Sequence, residues 1–539
     1  MLIDARQLAS GGVLKSRFCV VGTGMGGSAV AQKLADAGHE TLLVEAGGLD
    51  KRLGDSDQVM AEFVGRPFNR PPTRCIELGG TSNQWHGMCA PLDEIDFEPR
   101  SWIPYSGWPI RRRDLERFYA EAARIHGLEG ADHFEPDGLE AGMRARLFDF
   151  DFNRGVLENK LTQFRKPPKR WKQTLLDQAR DGRFNCLINA PALELLVDES
   201  GSKVEGLLVG AGRGTITVVA DAFVICAGTL ETPRLLLNSR RRHEFGVGNS
   251  HHMVGRFLLD HPTGHFSKLG FHRLIDAPMY ASVLLRPKHR VMSGLRVQST
   301  KQRAHHLPNH TFYLRPSVTA ARLDDDLLHS FLAVRSVRNL TFRQIKGILT
   351  NRDLLNRILV HRFGFQPRFR YADMYFFTEQ LPNPNSRVGL SIDRRDPYGY
   401  PVARIDWQLT DADFAAFEAY TKVMFEQGLK SSDYGIARMD ALDVWKRNVA
   451  SAAHHVGTAR MAEHARFGVV DSNSQVFGMK NLFIGDASVF TTAGNTNPSL
   501  TITALALRLG EHLASRVQPI TVETAAGENG RQTQPVAVR

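Results

Sequence analysis

Residues 18–48 read FCVVGTGMGGSAVAQKLADAGHETLLVEAGG, and this stretch sets the fold. The run Phe18 to Val21 is short and apolar, the pattern of a strand buried on both faces. Gly22, Gly24 and Gly27 follow as G-x-G-x-x-G, then a helical stretch, SAVAQKLADAG, then a second apolar strand ending at Glu45. Each part has a mechanical reason. Gly22 permits the tight turn, Gly24 lets backbone approach a pyrophosphate, and Gly27 lets helix and strand pack closely. The helix N-terminus offers unpaired N–H groups and a partial positive charge to the phosphates. Glu45 stands 23 residues after Gly22, where an acid accepts ribose hydroxyls. Strand, glycine loop, helix, strand and acid in this order predict a Rossmann-like dinucleotide site.

The other end of the chain carries chemistry of a different kind. From His454 to Thr501 it reads HHVGTARM, then GVVDSNSQVFGMKNLFIGDASVF, then TTAGNTNPSLT. Imidazole titrates near neutrality and can take an alcohol proton. A carboxamide such as Asn497 can hold the same oxygen without competing for the proton.

These two blocks combine with AGTLETPRLLLNS (227–239), VGRFLLDHP (254–262) and LPNPNSRVGLSIDRRDPYGYPVARIDW (381–407). Together they resemble the glucose–methanol–choline (GMC) family of FAD-dependent oxidoreductases. The likeness runs from the glycine loop to Leu513, and the ordered triplet H-x-V-G-T, G-D-A-S and N-P-x-L-T is its most specific part. In motif the chain is nearest to the pyranose oxidase, glycoside 3-oxidase and bacterial sugar dehydrogenase members. The resemblance implies oxidation of a CH–OH group with His454 as general base and Asn497 as the second active-site group. His455 reads as a packed neighbour, Asn495 as a weaker alternative to Asn497, and His261 and Trp407 as structural.

The resemblance also implies a set of FAD contacts. They are Gly22, Thr23, Gly24, Met25 and Gly27 in the loop, and Glu45 and Ala46 after the second strand. The segment GGTSNQWHGM (79–88) adds Gly79, Gly80, Ser82 and Asn83. Leu193, Ala227, Asp486, Ala487, Asn497 and Pro498 complete the set, with Gly228 closing the strand beneath the cofactor. In related pyranose oxidases a histidine before the tryptophan carries a covalent flavin link. Here Gln84 precedes Trp85, and an amide cannot form that bond, so the FAD is expected to be noncovalent. His86 is expected near the flavin. Ala462 departs from the glycine often found after R-M, which disturbs a loop without touching the base.

The expected architecture is α/β (α+β overall). A Rossmann-like FAD-binding lobe is assembled from discontinuous segments, 14–263 and 450–517, with substrate-side insertions near 100–180. Residues 264–449 form a substrate lobe with a mainly antiparallel sheet backed by helices, and 518–539 a loose tail. Residues 185–209 read as two strands joined by a polar turn, and 215–228 as a further strand pair.

The length of 539 residues and hydrophobic content of 42% support two substantial cores. Five cysteines at 19, 75, 89, 186 and 226 form neither C-x-x-C nor a metal-ligand cluster. With no apolar leader and no membrane-length run, the reading is a soluble, cytoplasmic protein without metal. The net charge of +11 is uneven: residues 335–370 hold nine Lys/Arg and one Asp. Their apolar residues recur at helical spacing, and most such stripes pack on their own lobe. An anionic membrane surface is the alternative, and nucleic acid is not expected. The partners expected are an alcohol or sugar substrate and an electron acceptor, whether oxygen, quinone or a redox protein. A lyase with structural flavin, an enzyme for apolar or lipid-linked alcohols, and a nicotinamide dehydrogenase are the competing functions.

Overall fold

The glycine loop sits at the end of the nine-residue strand Val13–Val21 in the computed structural model of the chain. The structure describes all residues except 51–60, 67, 69–73, 130–133, 135–149, 277–279, 281–282, 287, 318, 321–340, 352–354, 356–367 and 517–539. The expected tail and much of the basic segment therefore lie outside the described residues.

Val13–Val21 pairs in parallel with Thr41–Val44 on one side and Gly214–Ile225 on the other. The helix Met25–Asp36 opens directly after the loop, with Gly24 as an N-cap that supplies no side-chain bond. The N–H groups of the first turn are thus left to a ligand. Two close approaches make this possible. A Cβ on Gly27 would stand 1.9 Å from the Gly22 carbonyl oxygen, and one on Gly26 would stand 2.1 Å from the Gly485 oxygen.

The first sheet runs in the order Leu2–Asp4, Asn185–Ile188, Thr41–Val44, Val13–Val21, Gly214–Ile225, Val204–Ala211 and Ala192–Val197. The C-terminal strand Leu482–Ile484 adds in parallel to Phe223–Ile225. The helix Ser499–Arg516 then packs on Met25–Asp36, sharing one core with this sheet. Segments more than 450 residues apart in sequence are thereby joined.

Two strand expectations are corrected. Residues 185–209 hold three strands, because Asn189 takes a left-handed φ of 53° and Pro191 follows, breaking the run before the hairpin Ala192–Val197/Val204–Ala211. Gly214–Ile225 is one strand of 12 residues. Its VVADA centre has no turn residue pair, so the chain continues straight from an antiparallel partner to parallel ones.

The second sheet is antiparallel, ordered Val283–Arg286, His289–Val297, Thr311–Ser317, Phe369–Phe377, Pro262–Ile275 and Tyr434–Met439. Leu157–Arg165 pairs with His289–Val297, and Ala450–Ser451 with the start of Pro262–Ile275. Side chains alternate across it. Phe312, Leu314, Met374 and Phe376 pack against Phe417, Tyr420 and Trp445 from the helices Asp411–Val423 and Leu442–Asn448. The opposite face carries Tyr313, Tyr375 and Phe377, the last two next to one another at 5.6 Å. A third sheet joins Arg387–Arg395, Pro401–Asp406 and Glu62–Phe63.

The expectation that the basic stripe packs on its own lobe falls mostly outside the described residues, since the side chains of Ile348, Leu349, Ile358 and Leu359 are not among them. In and after the helix Phe342–Thr350, Phe342 is 82% exposed, Ile345 41% and Leu355 42%. Phe342 is thus largely open to solvent, while Ile345 and Leu355 are each more than half covered. No described helix is long and apolar enough to cross a membrane.

Candidate active site

The C-terminal ends of the parallel strands enclose a cavity of about 520 Å³, within the ~300–1,000 Å³ usual for small-molecule sites. It is lined at one end by Gly22, Thr23, Gly24, Met25, Glu45 and Ala46, and at the other by His454 and Asn497. Gly80, Ser82, Leu193, Ala227, Asp486, Ala487 and Pro498 lie along it, as do Gln84 and His86. Gly27, Gly79 and Asn83 do not line it. Gly27 packs on Gly22. The Gly79 N–H donates to the Thr23 hydroxyl, and the Asn83 amide donates to the Leu78 carbonyl. These three stand behind the wall and hold its shape.

The carboxylates of the site are heavily bonded. Glu45 accepts from the Thr23 N–H at 3.0 Å, from the Thr23 hydroxyl, and from the Gly47 N–H at 2.9 Å. Burial raises its pKa against these bonds. Asp486 accepts from Gly228 N–H (2.8 Å), Thr232 hydroxyl (2.6 Å) and Ser488 N–H (2.8 Å). It thereby ties the ends of Gly214–Ile225 and Leu482–Ile484 together, and burial lifts its pKa too.

At the far end, the Asn497 amide nitrogen lies 2.8 Å from His454 Nε2. An amide N–H can only donate, so Nε2 holds a lone pair and the ring proton sits on Nδ1. His454 Nδ1 lies 3.2 Å from His261 Nδ1, which then accepts. His261 Nε2–H in turn faces the Ala493 and Gly494 carbonyls, each at 3.1 Å. One consistent proton pattern runs through all four contacts. Burial, then His261, pushes His454 down to about 3, with Asp260 opposing. Burial likewise lowers His261.

Asp260 underlies the group. It accepts the His454 N–H at 3.0 Å and the Ser451 hydroxyl at 2.5 Å, and lies 3.0 Å from His455 Nδ1. Burial works against its charge, but His455 and His454 hold its carboxyl well below the usual range. His455 lines the same cavity while stacking on Phe68 at 4.2 Å. His261 had read as structural; only its contact with His454 reveals more, although D-H-P was visible in the sequence.

Asn495 points elsewhere. Its amide donates to Asp93 and Asn309 in a buried network that also holds the Arg100–Glu379 pair, so it anchors the loop bearing Asn497. Phe377 stacks on His454 at 5.9 Å and meets Tyr313 at 5.4 Å, bringing the second sheet's aromatic face to the imidazole.

The cavity fits an FAD. A Cβ on Gly24 or Gly228 would meet nothing within 4 Å, so both open toward free space, and Asn497 Oδ1 is buried without a protein partner. Residues 17–318 match the profile of FAD dependent oxidoreductases, and 382–506 that of GMC oxidoreductase. An uncharacterized GMC-type oxidoreductase of Sinorhizobium fredii is 39% identical, covering 96% of this chain and 98% of its own. The chain belongs to the GMC oxidoreductase family.

Other relatives of this GMC oxidoreductase are more distant. The 2-methyl-1,2-propanediol dehydrogenase of Mycolicibacterium austroafricanum is 23% identical over 95% of this chain and 97% of its own. The 6'''-hydroxyparomomycin C oxidase of Streptomyces lividus is 24% identical over 92% and 90%. The enzyme is a GMC-type, FAD-dependent oxidoreductase acting on alcohol groups, and the nicotinamide reading falls.

Proposed function

We propose that this enzyme oxidises a secondary hydroxyl of a sugar or glycoside to a carbonyl, with His454 as the base and Asn497 as its partner at the substrate oxygen. The observation that carries the reading is the 2.8 Å approach of the Asn497 amide to His454 Nε2, with His261 at 3.2 Å on the other ring nitrogen, an arrangement that assigns a lone pair to Nε2. Bound FAD supplies the two-electron acceptor for hydrogen leaving the carbinol carbon. His454 takes the hydroxyl proton at Nε2. The resulting imidazolium keeps its Nδ1–H on His261 and gains the nearby Asp260 charge, while Asn497 orients the oxygen. Gly22 to Gly26 would hold the pyrophosphate and Glu45 the ribose. Residues 264–449 serve as the substrate domain, and Phe377 and Tyr313 offer flat apolar surface to a pyranose ring.

Two relatives named for a 1,2-diol and for hydroxyparomomycin support a polyhydroxylated substrate. The test is anaerobic flavin reduction across sugars, glycosides and simple alcohols. Reduction by simple alcohols alone would remove the sugar assignment, and flavin that stays yellow with a consumed substrate would favour a lyase.

The depressed His454 pKa gives a pH prediction. A base must be neutral to act, and activity is lost as pH falls through its pKa. The acid limb of kcat/KM therefore lies below the ordinary imidazole value of ~6.5. A limb midpoint at 7 or above contradicts the buried neutral imidazole. Noncovalent FAD follows from Gln84. Acid precipitation is expected to leave the flavin in the supernatant, and a yellow pellet overturns that expectation.

A second reading, oxidation of an apolar or lipid-linked alcohol at a membrane surface, gains support from exposed Phe342 and Ile345 beside a basic segment. Flotation with anionic vesicles that Lys346→Glu leaves unchanged would remove it.

A further inference from the structure

The helix Glu231–Asn238 separates two cavities. Leu235 and Asn238 line the cofactor cavity, while Leu237 lines a second one of about 360 Å³. Around this second cavity stand Arg240, Arg256, Arg387 and Arg404, with Asp406 as the one carboxylate among its described lining residues.

The arginines reach it from separate parts of the chain. Arg256 and Arg387 oppose each other in an antiparallel bridge, and Arg387 also opposes Asp406 across the third sheet. Like charges set side by side cost stability unless something offsets them. Protein carboxylates offset this only in part. Among the described residues Arg240, Arg256 and Arg387 make no ion pair, whereas Arg404 pairs with Glu62 at 3.5 Å. Asp406 instead accepts from the Gln408 amide at 2.9 Å.

Two of the guanidinium groups are already oriented. Arg240 Nε donates to the Leu237 carbonyl at 2.8 Å and Arg256 Nε to the His252 carbonyl at 2.7 Å, with Arg256 Nη1 also reaching the Pro384 carbonyl at 3.4 Å. Pinning at Nε aims the remaining N–H groups and lowers the entropy cost of gripping an anion. Gly389, which opposes Arg404, leaves the floor bare, since a Cβ there would meet nothing within 4 Å. A concave surface on which four guanidinium groups face one carboxylate also focuses positive field into the cavity.

We infer that this arginine cleft binds a compact, multiply charged oxyanion, either free phosphate or a phosphoryl group carried by a larger molecule. A tetrahedral dianion presents oxygens in several directions, which suits forks converging from different strands. The volume leaves room for an attached group. The cleft is independent of the alcohol chemistry, because the helix Glu231–Asn238 lies between.

The test uses the FAD-loaded protein. Calorimetric titration with inorganic phosphate and with pyrophosphate, against chloride at matched ionic strength, is expected to show saturable binding. Arg387→Gln and Arg256→Gln are each expected to weaken it about tenfold or more, with flavin spectrum and flavin reduction unchanged. Arg387 is exposed, so its variant keeps the test valid should Arg256→Gln fail to fold. Vesicles of phosphatidylcholine with and without phosphatidic acid distinguish a lipid headgroup from free phosphate. Binding of either kind that is lost in Arg387→Gln supports the site. No binding of any of these probes, or binding indifferent to Arg387, overturns it.

Discussion

His454→Ala leaves a yellow protein whose flavin is reduced by substrate ~10²–10⁴-fold more slowly, the usual worth of a positioned general base. The cofactor cavity is lined by more than 40 residues, of which His454 is one, so losing its side chain does not strip the site that holds FAD. What disappears is the Nε2 lone pair beside Asn497 and the contact of Nδ1 with His261. His454→Asn keeps polarity and approximate size without a proton-accepting nitrogen, and is expected to fall within the same range. Stopped-flow reduction under anaerobic conditions reads the effect directly. Unchanged reduction with an intact flavin spectrum would remove His454 from the chemistry. Loss of colour instead would make it a binding residue.

Gly27→Ala produces the largest loss of cofactor. Its Cβ would stand 1.9 Å from the Gly22 carbonyl oxygen, far inside van der Waals contact, and the obstacle is backbone. No side-chain rotation relieves it, so the helix Met25–Asp36 must move off the strand. Overpacking in a core costs ~1–3 kcal/mol even where side chains yield. Here the shift also moves the N–H groups that would meet a bound pyrophosphate. FAD occupancy after purification is expected to drop at least tenfold, with a lower thermal midpoint. Gly389→Ala is the control, since its Cβ meets nothing within 4 Å. If Gly27→Ala keeps full flavin, the close packing of helix on strand is not what shapes the phosphate end.

The fingerprint and the histidine–asparagine pair were legible because each is local: glycine spacing, apolar runs and short motifs need no knowledge of distant partners. Gly26 escaped that reading. Its reason for being glycine is the Gly485 carbonyl 2.1 Å from where its Cβ would lie, a neighbour more than 450 residues away. His261 escaped for the same reason, since its ring nitrogen is defined by His454 and by two carbonyls near residue 493. The single strand Gly214–Ile225 was read as two because alternation looks alike on either side of a change in pairing partner.

Local chemistry therefore specified a dinucleotide site and the Rossmann-like opening unit, while the family resemblance pointed to FAD and to His454. Folding added the protonation pattern of that imidazole, the separation of Asn497 from Asn495, and the gathering of four arginines into one cleft. Torsional preference and hydrophobic period act over a few residues, whereas tautomer, burial and charge focusing depend on whichever groups long-range packing brings within about 4 Å.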